Sequence, residues 1–149
     1  MKKTLMNLEI EKLISVISGK DSFRNNTEIK VPGALDWSLR VNLKKLNEVY
    51  EMYNQARTEV GKKYVDAGKV EGDQVKQEYI AEYNAEIWEL MIQKNEIDFR
   101  PLKVGDFMNL PLSMPEKDFL FSMCEDEEIE KYFEEEEAKE STEEPETEE

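Results

Sequence analysis

Apolar residues recur at helical spacing through most of this chain. Between Asn7 and Ser18, Ile10, Leu13, Ile14 and Ile17 fall at i, i+3, i+4 and i+7, which predicts a short amphipathic helix with Asn7 as N-cap and Gly19 as stop. From Ala34 to about Tyr64, Leu35, Leu39, Leu43, Leu46, Val49, Tyr50, Tyr53, Ala56 and Val60 return at steps of three or four, with charged residues between them. That stripe predicts a long helix with one buried face. Gly61, near its end, weakens it by about 1 kcal/mol relative to alanine. Gly68, Gly72 and Asp73 mark residues 65–73 as a loop, with Asp73 as the next N-cap. Val75, Tyr79, Ile80, Tyr83, Ile87, Leu90 and Met91 then predict a second helix, with Trp88 adjoining its stripe and Glu78, Glu82, Glu86 and Glu89 on its wet side. Two such helices, each roughly 30–45 Å long at 1.5 Å per residue, return on one another as an antiparallel hairpin.

The period changes twice. Glu28 to Val31 is a brief β-type run ended by Pro32-Gly33, and Glu96 to Leu102 alternates Ile97 and Phe99 against Asp98 and Arg100 before Pro101 confines it to an edge. These two runs are expected to pair. A connection carrying Val104, Phe107, Leu110 and Leu112 leads to Ser113-Met114-Pro115, which opens a last helix with Phe119, Leu120 and Met123 on its apolar face; Ile129, Tyr132 and Phe133 extend it. The expected fold class is mainly α (α+β). A long antiparallel helical hairpin with flanking short helices and a minor two- or three-strand sheet forms one domain over 1–124, followed by an acidic tail over 125–149.

Charge sharpens that division. The chain of 149 residues carries a net −15, but residues 124–149 hold fifteen acids against Lys131 and Lys139, a balance of −13, and residues 1–123 are left with twenty acids against eighteen bases, −2. The body is nearly neutral. After Phe133 almost nothing in the tail is apolar, so it is expected to lose order beyond about residue 138. An acidic chain of this kind is not expected to bind nucleic acid directly or to enter a membrane. Nor does the tail imitate a duplex: even fully helical it carries about one charge per 3 Å, against one per about 1.7 Å of DNA axis.

The absence of histidine removes serine–histidine and cysteine–histidine catalysis and the commonest metal ligand. The only cysteine, Cys124, precedes Glu125 to Glu128, a setting that suppresses the thiolate and fits a small apolar core-edge residue. Glu78, Glu82, Glu86 and Glu89 read as a solvated helix face rather than paired catalytic carboxylates. Asp66 to Asp73 lacks the spacing of a calcium loop, and Gly61-Lys62-Lys63 lacks the flanking residues of a phosphate loop. Tyr50, Tyr53, Tyr79 and Tyr83 fit the facing stripes of a hairpin core better than a stacking platform. No cofactor or metal is expected. The candidate contact residues are Glu134, Glu135, Glu136 and Glu137 on the tail, with Lys44 and Lys45 on the body as a basic patch that the tail would mask by intramolecular association.

The segments Leu35 to Tyr64 (LDWSLRVNLKKLNEVYEMYNQARTEVGKKY), NEIDFRPLKVGDF and LSMPEKDFLFSM together resemble a small family of phage and prophage proteins carried as a domain of unknown function. The resemblance covers about Met1 to Met123. It rests on Arg40 to Leu46 before a helix with Glu and Tyr repeats and on an arginine at Arg57. In that family the connection between the long helices is often longer and more polar than residues 65–73, and it supplies no catalytic residues. The resemblance implies a phage setting, in the host cytoplasm or the virion. The expected function is a non-enzymatic phage protein acting through protein–protein contacts, as a small virion or tail-region component or an assembly factor, with a phage structural protein as partner. The alternative is a host-takeover or anti-defence inhibitor that binds a host enzyme with help from the acidic tail.

Overall fold

A computed structural model describes residues 1–142 of the chain. It is mainly α with a minor sheet. In order, the elements are β1 (Lys2–Met6), α1 (Asn7–Ser18), α2 (Gly33–Asp66), β2 (Val70–Glu71), β3 (Gln74–Val75), α3 (Ile80–Met91), β4 (Lys94–Asp98), α4 (Met114–Phe121) and α5 (Asp126–Thr142). Single 3-10 turns lie at Phe23–Asn25, Gln77–Tyr79 and Val104–Asp106.

Helix α1 buries Ile10, Leu13 and Ile17 as its spacing requires, and it ends at Gly19, where a Cβ would lie 2.3 Å from the Ser15 carbonyl oxygen. Its first residue differs from expectation. Met6 is the N-cap, closed by Glu9, whose carboxylate accepts from the Met6 N–H at 2.7 Å, while Asn7 lies one step inside the helix and is buried. The Asn7 amide donates to the Leu90 carbonyl at 2.8 Å and its oxygen accepts from the Asn95 amide at 2.8 Å. Asn7 therefore ties α1 to the end of α3 instead of capping its own helix.

The strand expected over Glu28–Val31 does not form. Asn26 folds that segment into a turn, accepting from the Glu28 N–H on its side chain at 3.0 Å and from the Ile29 N–H on its carbonyl at 3.1 Å. Ile29 and Val31 still pack against the core as half-buried side chains. The partner of β4 is β1, antiparallel, with Lys2 opposite Asp98 and Met6 opposite Lys94. Only Leu5 of β1 is buried, so no two-residue alternation announced the strand. β4 itself begins two residues before the predicted run and ends at Asp98, where the chain turns in to bury Phe99 and Leu102.

One core joins α1, the first half of α2, β1, β4 and α4 through Leu35, Leu39, Leu46, Ile97, Phe99, Leu102, Phe107, Leu120 and Met123, each at most 3% exposed. Asn42 is fully buried among them. Its amide donates to the Arg100 carbonyl at 2.9 Å and its oxygen accepts from the Arg100 N–H at 2.7 Å, so one side chain satisfies both backbone groups of a residue leaving the sheet. Above it, Asp36 bridges Arg24 and Arg40. Burial alone would raise the Asp36 carboxyl, but hydrogen bonds from Arg24 and then Arg40 hold it below the ordinary carboxylate value.

The tail is helical further than expected. Helix α5 carries Asp126, Glu127 and Glu128 in its first turn, where the positive end of the helix dipole favours them. Glu128 accepts from the Val104 N–H at 3.0 Å, Lys3 pairs with Asp126 at 2.9 Å, and Ile129 and Tyr132 pack against the core. The described helix runs to Thr142, beyond the expected loss of order near 138, with Lys139 pairing back to Glu136 at 3.2 Å. The rest of the expected disordered segment, residues 143–149, lies outside the described residues.

Candidate protein-contact surface

The hairpin is unequal. Helix α2 has 34 residues and spans about 51 Å, whereas α3 has 12 and spans about 18 Å, short of the roughly 30 Å expected. The difference lies in residues 68–79. Gly68 and Gly72 adopt φ of 71° and 62°, conformations that favour glycine, and a small β2–β3 hairpin turns at Gly72-Asp73. Asp73 thus sits in a strand turn rather than at a helix N-cap, and the helix starts only after the turn at Gln77–Tyr79.

Beyond Tyr50, α2 leaves the core, and only Tyr53 and Tyr64 on it are fully buried. Helix α3 covers them, but none of its own residues is fully buried. Polar and aromatic clamps hold this arm together. Lys63 pairs with Glu86 at 2.9 Å and Lys69 with Glu82 at 3.5 Å. The Tyr64 and Tyr83 rings meet edge to face at 5.2 Å, and the Lys69 ammonium lies 5.2 Å from the Tyr64 ring and 4.8 Å from that of Tyr79. The hydrogen bond and charge of Lys63 hold the Glu86 carboxyl below its usual range, while burial beside Glu82 and Glu86 pushes the Tyr64 hydroxyl up to about 12.

Because Tyr83, Glu86, Ile87, Leu90 and Met91 are the partly covered positions, the opposite side of α3 faces outward, with an apolar stripe flanked by Glu82 and Glu89. Ala81, Ala85, Trp88 and Ile92, at i, i+4, i+7 and i+11, are all exposed, Trp88 by 54%. Ile80 on α3 and Met52 and Val65 on α2 add further exposed apolar side chains to the arm. Glu78, Glu82 and Glu89 are exposed as the wet side requires, with Glu82 pairing to Lys69; Glu86 alone is partly covered, turned in to Lys63 and Tyr64, and Trp88, expected to adjoin the buried stripe, faces out. The signal was available, since α3 has more apolar residues than one face can hold.

The predicted contact residues are not brought together. Lys44 lines an open groove of about 530 Å³ with Arg24, Arg40 and Glu48, whereas Lys45 donates to the Asp98 carbonyl at the edge of β4. Glu134, Glu135, Glu136 and Glu137 lie on the second half of α5, and among the described residues none pairs with either lysine. The acidic helix meets the body at Lys3 instead. Among the described residues no helix is long and apolar enough to cross a membrane, and no group of three or more acids or cysteines is placed to hold a metal ion.

Cys124 is fully buried, with its thiol 3.6 Å from the Leu120 carbonyl. Burial first, and then Glu128, pushes the thiol from 9.0 up to about 12. The folded chain therefore keeps a proton that the unfolded chain loses near pH 9. The stability this confers is whole below pH 9 and disappears as pH rises toward about 12. At pH 8 iodoacetamide is expected to leave Cys124 untouched in buffer and to modify it fully in denaturing urea; rapid modification in buffer would contradict the buried position.

Comparison with family models, with curated proteins and with solved structures finds no match to this chain.

Proposed function

We propose that this is a non-enzymatic phage protein that works by protein–protein contact, as a small virion or tail-region component or as an assembly factor. The observation that carries the reading is the arm. A two-helix projection with Trp88, Ile92, Met52 and Val65 exposed supports contact with another protein, because large apolar side chains are costly to leave in water. The phage setting rests on the resemblance of Leu35 to Tyr64 and the two later segments. The groove at Lys44 supports the same reading: it is open and lined mainly by charged side chains rather than by convergent polar groups over an apolar floor.

Mass spectrometry of purified particles tests this. The chain is expected in virions, or its deletion is expected to yield defective particles. Absence from particles, combined with normal particles from the deletion, would overturn the proposal. The inhibitor alternative draws its support from α5, which presents Glu134 to Glu137 on a helix anchored at Asp126 and Glu128. Recovery of one stoichiometric host enzyme in a pull-down, lost on removing residues 126–149, would favour it.

A further inference from the structure

We infer that a cavity at the root of the arm binds a small uncharged molecule with an apolar body and one hydroxyl or amide group, held through the Tyr53 hydroxyl. The cavity has a volume of about 240 Å³ and lies where α2 meets the start of α1, the end of α3 and β4. Val49, Met52 and Ala56 of α2, with Leu90 of α3, make its apolar side, and Asn7, Gln93 and Asn95 make its polar side. Tyr53 lines it as well. Only 3% of Tyr53 is exposed, and its hydroxyl is the one buried side-chain nitrogen or oxygen among the described residues with no hydrogen-bond partner. A buried hydroxyl is nearly always bonded, because it gives up water on burial and regains nothing until a partner replaces it. The ring is fixed by Tyr50, edge to face at 6.2 Å, and by the Arg57 guanidinium at 4.8 Å from its centroid.

The rest of the lining narrows the class of ligand. The Asn95 amide donates to the Asn7 side-chain oxygen at 2.8 Å and to the Gln93 carbonyl at 3.3 Å, and the Asn7 amide donates to the Leu90 carbonyl at 2.8 Å. These bonds set two polar side chains in place before anything binds, and they leave the Asn95 oxygen without a donor among the described residues. A ligand hydroxyl or amide suits such a wall, since it both donates and accepts. No charged residue lines the cavity, in a chain whose residues are 37% charged. An ionised ligand would lose its water there and find no counter-charge, so the ligand is neutral. Its size follows from the volume: a cavity of about 150 Å³ takes a benzene ring, so this one takes about eight to ten non-hydrogen atoms.

The probe is p-cresol, titrated into the full chain and followed by the side-chain amide resonances of Asn7, Gln93 and Asn95. Saturable shifts are expected, with a Kd on the order of 1 mM, as for any ligand this small. Toluene, which lacks the hydroxyl, is expected to bind about fivefold more weakly, and 4-hydroxybenzoate, which adds a carboxylate, not to bind. Tyr53→Phe is expected to bring p-cresol down to the level of toluene while leaving toluene unchanged, and Ala56→Leu, which fills the cavity, to abolish both. Without ligand, Tyr53→Phe is expected to keep the wild-type urea midpoint, because the hydroxyl it removes has no partner in the protein. No saturable shift up to about 5 mM p-cresol, equal binding of p-cresol by wild type and Tyr53→Phe, 4-hydroxybenzoate binding as tightly as p-cresol, or a clear fall in the Tyr53→Phe midpoint would each overturn the inference.

Discussion

Replacing Asn42 by alanine is expected to cost about 3 kcal/mol of folding stability, because it strips both the N–H and the C=O of Arg100 of their partner inside the structure. A single buried amide that satisfies one backbone donor and one backbone acceptor is worth more than its own two hydrogen bonds. The groups it leaves behind have no other protein partner in place, since Arg100 is fixed between β4 and the buried Leu102. Asn42→Asp should be worse, as it keeps the acceptor for the Arg100 N–H but sets a carboxylate against the Arg100 carbonyl in a buried site. For a chain of this size such a loss lowers Tm by roughly 6–12 °C. Urea titration of the two variants is the measurement, and a loss below about 1 kcal/mol for alanine would show that Asn42 does not bear this load.

Phe107→Ala is expected to cost as much or more, about 3–5 kcal/mol. Phe107 is fully buried, meets Phe121 edge to face at 5.3 Å, and donates its N–H to the Val104 carbonyl at 3.3 Å. Its removal opens a cavity under both α4 and the aromatic row Phe121–Phe133, so the near-ultraviolet circular dichroism should flatten along with the fall in urea midpoint. Phe107→Leu, which keeps most of the volume, should cost less than half as much. Equal losses for leucine and alanine would mean that the ring's contacts, rather than its volume, carry the energy.

These two residues also mark where the sequence was legible and where it was not. Helices α1 and α2 were readable to within two residues, because their burial follows a 3.6-residue period over three or more turns. Within α2, however, the fully buried face is Leu35, Leu39, Asn42 and Leu46. The apolar Leu43, counted into the stripe, is half-exposed, and the polar Asn42 occupies the centre. A pattern of apolar letters cannot register a buried amide whose partner lies 58 residues away. Phe107 and Val104 read as a linker because their burial has no period; their partners are α4 and α5. β1 escaped notice with one buried side chain in five residues, and the run at Glu28–Val31 looked like a strand but is folded into a turn by Asn26. As for the candidate surface, Glu134 to Glu137 and Lys44 and Lys45 were chosen by charge, and charge is spread too widely in this chain to locate a site. The exposed stripe of α3 was written in the spacing of Ala81, Ala85, Trp88 and Ile92, and was obscured by reading Trp88 as adjoining the buried stripe.

The pairing of β1 with β4 has a consequence for how the chain is made. Its most separated partners, Lys2 and Asp98, lie almost a hundred residues apart, so β1 waits for its complement until α1, α2 and α3 have been synthesised. The arm, by contrast, is closed by near neighbours such as Lys63 and Glu86 and by the β2–β3 turn. Local contacts form fast and distant ones slowly. During vectorial synthesis the outer face of α3 would therefore be assembled before the core behind it had closed.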